Sequence, residues 1–274
     1  MKSQAIFFPF DLFGSSGAGR GVELLADALR EMRADNKRER MPSRAQDYAG
    51  KLDIREIPLE NLRAYQNWRE RGRQVARRIL DKGDFLFWIT GNHLGTLPVY
   101  DELGPDTLVV QFDAHLDIYN LTDCTPELSH GNFLLHCSGP LPRLISVGNR
   151  ELLLPKDYVG KYYQHSFSAD SLAVDPGPAL SQLRQSSKAA PRVIVDIDCD
   201  VLDSAVFPAV TQPLPFGLSG QQFLQLLDAC WSEKLAGICL SEFNPAHDQN
   251  DRSLSLLIWL LEFFLLRLNQ AKFG

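Results

Sequence analysis

Leu108-Val109-Val110-Gln111-Phe112-Asp113-Ala114-His115-Leu116-Asp117 joins a short apolar run to three titratable side chains in strict alternation. The run reads as a buried strand. Alternation at the end of an extended segment turns side chains of one parity toward a common point, so Asp113, His115 and Asp117 can converge. Similar β-rich runs recur at residues 6–10, 85–90, 144–147, 193–197 and 238–240. Between them lie stretches with apolar residues three and four apart, which predict helices over 22–33, 62–81, 132–137, 220–233 and 253–270. Strands alternating with helices define an α/β fold with a mainly parallel sheet flanked by helices.

In such sheets the ligand crevice lies beyond the carboxyl ends of the strands. Four predicted strands are followed there by polar clusters: Thr90-Gly91-Asn92-His93, Asp113 to Asp117, Asp198-Cys199-Asp200, and Ser241-Glu242-Phe243-Asn244-Pro245. Taken singly, His93 reads as a hydrogen-bonded core residue and Asp198-x-Asp200 as a turn or cap. Their joint placement after successive strands argues for a site. The sum of His93, Asp113, His115, Asp117, Asp198 and Asp200 is two imidazoles and four carboxylates. Four carboxylates close together repel one another unless a cation is present. One divalent ion would under-use this set, whereas two ions sharing bridging carboxylates would occupy all six groups.

Composition agrees with a globular protein of 274 residues, and one domain over 1–274 is the simplest organisation. Residues 1–90 hold 17 Lys+Arg against 13 Asp+Glu, leaving 11 against 21 in the remainder, so the acidic part is where a cation site is cheapest to build. The charged stretch 30–44 with Pro42 reads as a helix end and a solvated loop. Its basic residues interleave with Glu31, Asp35 and Glu39 and no aromatic, which speaks against a nucleic-acid patch. Five cysteines without a C-x-x-C spacing read as reduced thiols in a cytoplasmic protein. Residues 254–268 are the most apolar, but Glu262 and Arg267 interrupt them; a buried terminal helix is expected rather than a membrane span.

In order along the chain stand Gly91-Asn92-His93, Asp113-Ala114-His115-Leu116-Asp117, His130-Gly131-Asn132, Asp198-Cys199-Asp200-Val201-Leu202-Asp203 and Glu242-Phe243-Asn244-Pro245. This set resembles the ureohydrolases: arginase, agmatinase and formiminoglutamase. Phe8-Pro9-Phe10-Asp11 with the Gly-rich 14–21 loop resembles the family's opening strand and loop, and Ser146-Val147-Gly148-Asn149-Arg150 a mid-chain strand end. The resemblance implies a three-layer arginase-like fold and two manganese ions. It gives His93, Asp113, Asp117 and Asp198 to one ion and Asp113, His115, Asp198 and Asp200 to the other, with Asp113 and Asp198 bridging. Hard oxygen and imidazole donors suit manganese, and zinc or iron accept the same donors. Asp203 and Pro208 fix the frame of the second aspartate cluster, so Asp196, one pleat earlier, is expected to support the site and not to ligate.

Two divalent ions would lower the pKa of a shared water and hold a nucleophile at neutral pH. The residues expected to carry catalysis are His130, Glu242 and Asp117. Glu242 would pair with guanidinium N–H groups and aim the carbon, and His130 would deliver the proton to the amine leaving group. His136, His165 and His247 match no ligand position, and Asp248 is read equally as a helix cap or a support of the site.

Departures from the family pattern bear on substrate. Thr90-Gly91-Asn92-His93 stands in place of Gly-Gly-Asp-His, Asp203-Ser204 in place of Asp-Pro, and Ala209 to Pro213 in place of Gly-Thr-Gly-Thr-Pro. None removes a ligand. In Asp117-Ile118-Tyr119-Asn120, Tyr119 occupies the place where arginases hold the α-carboxylate with Asn. Tyr119, Asn120, His130 and Glu242 are the expected substrate-binding residues. With the free-amino-acid clamp missing, the chain resembles the peptide arginases, which convert arginine side chains in a precursor peptide to ornithine. The alternatives are a hydrolase of arginine, agmatine or a guanidino acid, a deacetylase-like amidohydrolase, and a catalytically silent metal-binding scaffold. A homo-oligomer is compatible with all of them.

Overall fold

The computed structural model describes residues 2–270 apart from 37, 39 and 42, so Glu39 and Pro42 of the charged stretch and residues 271–274 lie outside the described residues. Among the described residues eight strands are present: β1 (Ser3–Phe8), β2 (Leu52–Glu56), β3 (Phe85–Thr90), β4 (Thr107–Phe112), β5 (Arg143–Asn149), β6 (Tyr163–Ser168), β7 (Arg192–Asp198) and β8 (Leu235–Ser241). They form one sheet in the order β2-β1-β3-β8-β7-β4-β5-β6. Every pairing is parallel. Parallel strands need crossovers that cover both faces, which is why β1, β3 and β4 are buried at every residue and read as apolar runs.

Two apolar clusters make the outer layers. One packs Phe7, Phe85 and Val195 against Val22 and Leu25 of the helix Ala18–Asn36, Leu183 of Gly177–Ala189, Leu226 of Gly220–Cys230 and Phe264 of Arg252–Gln270. The other packs Ile6, Phe8, Leu86 and Ile194 against Trp68, Ala76 and Ile79 of Trp68–Lys82. Neighbours such as Ile6 and Phe7 fall in opposite clusters, as the period of two requires. The result is the expected helix–sheet–helix architecture.

The two strands that the sequence pattern does not predict, β2 and β6, are the two edges of the sheet. Edge strands are half solvated and carry charge, as in Leu-Asp-Ile-Arg-Glu of β2, so they lack an apolar run. The single helix expected over 62–81 is two, Leu62–Gln66 and Trp68–Lys82, broken at Asn67. The break lets Trp68 swing inward to stack on Phe10 at 4.0 Å between ring centroids. Residues 130–136 form a 3-10 helix and not the α-helix expected from 132. Gly177–Ala189 is a helix the periodicity misses, because its buried stripe of Ala179, Leu183 and Ser187 holds one large apolar residue.

The helix Arg252–Gln270 is, among the described residues, the one helix long and apolar enough by length and composition to cross a membrane. Here Leu257, Leu260, Leu261, Phe264 and Leu265 are buried, and Tyr48 donates to Glu262 at 3.0 Å. Burial is confined to one face, since Trp259 remains half exposed. Asp248 caps this helix: its carboxylate accepts from the N–H groups of Ser253 and Leu254, each at 3.0 Å, which decides between its two sequence readings.

The chain runs from β3 to β4 across a gap later filled by β8 and β7. Register brings the four ends level: Ile89 pairs with Leu240, Leu240 with Ile197, and Ile197 with Phe112. Each polar cluster therefore starts within a few residues of one line across the middle of the sheet.

Candidate metal centre

A cavity of about 120 Å³ opens at that line, lined by Ser15, His93, His115, Asp117, Tyr119, His130, Gly131, Asp198, Asp200, Val210, Gln212 and Glu242. His93 enters on a short 3-10 turn after β3 and is fully buried. Gly91 lets that turn pass the β1 end, since a β-carbon there would meet the Phe10 carbonyl oxygen at 2.4 Å. Asp113, at the end of β4, directs Oδ1 at the His115 N–H at 2.7 Å and Oδ2 at the Gln111 amide at 3.0 Å. Asp198 accepts from the Asp200 N–H at 2.9 Å, and Asp200 from the Ala114 N–H at 3.0 Å. Asp113 and Asp198 thus each cap the backbone of their own cluster, and Asp200 ties the β7 cluster to the β4 cluster.

The remaining ligand-type atoms face one another. Those of His93, Asp113 and Asp198 lie within 4.8 Å of each other, as do those of Asp113, His115 and Asp200. Asp113 belongs to both groups. The Nδ1 of His93 is 2.8 Å from Asp117, 3.1 Å from Asp113 and 3.3 Å from Asp198. Its Nε2 lies 2.9 Å from Oδ2 of Asp196, which also accepts from the Tyr100 hydroxyl at 2.6 Å. A carboxylate on Nε2 favours the tautomer protonated there, leaving the Nδ1 lone pair aimed at carboxylate oxygens. Both Nδ1 of His93 and Oδ2 of Asp117 are buried without a hydrogen-bond partner. An imidazole nitrogen facing three carboxylates calls for positive charge at that point, which a metal ion supplies, so these residues fit a pair of divalent ions.

Electrostatics points the same way. Burial, then the charges of Asp117 and Asp200, push Asp113 up to about 7. Burial with Asp200 and Asp113 raises Asp198 likewise. Burial would also raise Asp200, but the charge and hydrogen bond of His115, 2.8 Å away, with the Ala114 N–H, hold it at about 2. His115 itself, against burial, is drawn up to about 10 by Asp200. A cluster whose members disagree this far is one that protons or cations must neutralise.

Glu242 follows β8 with φ of 65°, and Asp117 has φ of 51°. Both are non-glycine residues in the left-handed region, a strain that tends to collect at functional sites. Oε1 of Glu242 accepts from the His93 N–H at 3.0 Å and lies 3.5 Å from Nδ1 of His130. Burial favours the neutral His130 ring, yet the hydrogen bond and charge of Glu242 outweigh it and raise its pKa. The loop bearing His130 is fixed by Asn132, which accepts from the Ser129 N–H at 2.8 Å and donates to the carbonyls of Thr125 and Glu127. Tyr119 lines the cavity and donates to Glu151 at 2.6 Å, and burial together with Glu151 holds its phenol protonated.

The structure therefore gathers His93, Asp113, His115, Asp117, Asp198, Asp200, His130, Glu242 and Tyr119 around one cavity. Asn120 is exposed and lies apart from the lining. Asp196 touches His93 Nε2 directly, the place of a carboxylate that supports the site without ligating. Tyr100 carried no signal in the sequence, whereas Ser15 and Gln212 lie in the Gly-rich 14–21 loop and the 209–213 stretch that the resemblance marked without singling out either residue. Arg150, at the end of β5, donates to the carbonyls of Asp200 and Val201 and so buttresses the second aspartate cluster.

A parallel α/β sheet whose central carboxyl ends hold two imidazoles and four aspartates around a guarded cavity defines a protein built for a pair of cations. The chain belongs to the arginase family, whose model matches residues 4–266. An N(1)-aminopropylagmatine ureohydrolase of Thermus thermophilus is 31% identical over 63% of this chain and 59% of its own length. The chain thus aligns with about three-fifths of the length of that curated relative. Arginase from Bacillus subtilis superposes with a TM-score of 0.78 at 19% identity, covering 97% of this chain and 98% of that one. A Trypanosoma cruzi formiminoglutamase variant solved with Mn2+ superposes with a TM-score of 0.75 at 20% identity, covering 98% and 93%. These likenesses establish the fold.

Proposed function

We propose that this chain is a manganese-dependent hydrolase that cleaves a guanidinium group to an amine and urea. The substrate we assign is the arginine side chain of a peptide, which leaves ornithine in the peptide. His93, Asp113, Asp117 and Asp198 would hold one ion and Asp113, His115, Asp198 and Asp200 the other. When bound, the pair supplies a hydroxide nucleophile at neutral pH. The observation that carries the reading is Glu242, a buried carboxylate strained into the cavity beside the cluster and oriented by the His93 N–H.

Glu242 pairs with the guanidinium N–H groups and sets the central carbon toward the cluster. Water oxygen bonds to that carbon and gives up both its protons to solvent by the time urea forms, and the bond from carbon to the side-chain nitrogen breaks, that nitrogen gaining two protons in all. His130, whose pKa Glu242 raises, gives a proton to the departing nitrogen, which leaves as an amine while the remainder departs as urea. The harder donors of the cluster and the Mn2+ of the T. cruzi structure support manganese. One continuous sheet supports a single catalytic domain.

The peptide assignment rests on the cavity lining, which contains no lysine or arginine to meet an α-carboxylate, while Tyr119 is engaged with Glu151. A second reading, a small guanidino compound, is favoured by the modest cavity and by the name of the Thermus relative. Mass spectrometry of manganese-loaded protein with arginine-containing peptides, free arginine and agmatine separates the two. Loss of CN2H2 per arginine with release of urea supports the peptide reading. Efficient turnover of arginine or agmatine with peptides untouched replaces it by the second.

A further inference from the structure

Large apolar side chains left in water are unevenly placed on this molecule. Of the nine exposed large apolar side chains among the described residues, five, Leu12 (40% exposed), Phe13 (60%), Leu152 (94%), Leu153 (72%) and Phe216 (82%), sit on loops that follow β1, β5 and β7 at the carboxyl end of the sheet, while Met41, Leu62, Val174 and Trp259 are scattered elsewhere. These loops frame the cavity. The first supplies Ser15 to its lining and the third Gln212, and the turn between them bears Glu151, which holds Tyr119. Residues 12–17, 152–155 and 211–217 contain no charged side chain, in a chain that is 23% charged.

The loops are pinned. Asp11 accepts from the N–H groups of Gly17 and Gly19, Leu12 O accepts from Asn92, and Phe13 O from the His130 N–H. Asn244 donates both to Ser16 O and to Thr211 Oγ1, tying the first loop to the third. Within this rigid frame Phe13 has φ of 58° and Phe216 φ of 60°. A residue with a β-carbon is disfavoured there and glycine is not. Phe216 recovers little of that cost by burial, and Phe13 recovers only a tilted ring contact with Phe10 at 6.5 Å between centroids.

We propose that these residues form an apolar collar that binds the large apolar side chains flanking the target arginine of a peptide, an inference that rests on the peptide reading above. The cavity accepts the cation because Glu242 stands at its floor, and the uncharged collar accepts what surrounds it. The three uncharged segments offer no counter-charge to the α-amino and α-carboxylate groups of a free amino acid, whereas a peptide has none to satisfy next to its arginine.

The test uses the manganese-loaded full chain and two peptides of equal length, arginine flanked by leucine and phenylalanine or flanked by serine. Wild type is expected to show a kcat/KM ratio of about tenfold or more in favour of the apolar flanks. In the variants Phe13→Gly and Phe216→Gly that ratio falls toward one, while the thermal midpoint rises by about 2 °C because strain is relieved. A merely structural role predicts a lower midpoint and an unchanged ratio, which overturns the proposal. Equal turnover of both peptides by wild type overturns the collar but leaves the peptide reading standing. Turnover of agmatine and of no peptide overturns both. Loss of a wild-type oligomer in the glycine variants with the ratio unchanged shows the rim to be a subunit contact and also overturns it.

Discussion

Replacing Asp196 by asparagine removes one negative charge from behind His93 while keeping the shape of the side chain. Asp196 is completely buried, and its Oδ2 serves both the Tyr100 hydroxyl at 2.6 Å and His93 Nε2 at 2.9 Å. The imidazole stands between that carboxylate and whatever binds Nδ1, so charge and ion are separated by about 6.5 Å across the ring and the metal–nitrogen bond, worth about 5 kcal/mol for a unit charge facing a divalent ion at an effective dielectric of about 20. The asparagine carbonyl retains part of this as a dipole, which brings the expected loss to about ten- to a hundredfold in affinity, or about 1.4 to 2.7 kcal/mol. The loss belongs to the ion at His93. The ion at His115 sees no such partner and should change by no more than about threefold. Calorimetric titration of metal-free protein with manganese resolves the two affinities, and a thermal scan reports whether the fold survives. Two unchanged affinities in a folded variant would refute the argument that Asp196 orients and charges the ligand.

His130→Ala should keep both ions and lose about 10² to 10⁴ in kcat, checked by metal analysis alongside a urea assay, because proton delivery and not assembly is removed. Away from the site, Asp101 is buried. Burial opposes its charge, but Arg69, bonded at 2.6 and 2.7 Å, and the Ser138 N–H at 2.8 Å hold its pKa below the usual value. A depressed folded pKa contributes stability that is full above the unfolded value of about 3.9 and is lost as pH falls through the folded value. Denaturant melts should therefore weaken below about pH 4, and Arg69→Ala, whose guanidinium is 27% exposed, should cost about 2 kcal/mol at pH 7 and flatten that acid limb. An unaltered acid limb in the variant would place the acid sensitivity elsewhere.

What could be read in advance follows from where residues are buried. The central strands β3, β4, β7 and β8 are covered on both faces, so their sequences carry apolar runs, and the motifs at their ends announce the site. The edge strands β2 and β6 and the weakly apolar helix Gly177–Ala189 meet solvent along much of their length and leave no periodic trace. The ligand candidates were legible because they alternate after strands. The supporting place of Asp196 could be read from the frame of its cluster, but its partners could not, since His93 and Tyr100 are 103 and 96 residues away. The collar was invisible for a different reason: Leu12, Phe13, Leu152 and Phe216 look like ordinary core residues until the backbone places them in water.

The central claim is that two ions held by this cluster turn over a guanidinium group. Metal-free protein titrated with manganese in the presence of an arginine-containing peptide, with bound metal and released urea followed together, tests it most directly. Urea release that reaches its full rate only as the second equivalent binds, and that disappears in Asp113→Ala together with both ions, is the predicted result. Two equivalents bound with no urea from the peptide, from arginine or from agmatine would contradict it.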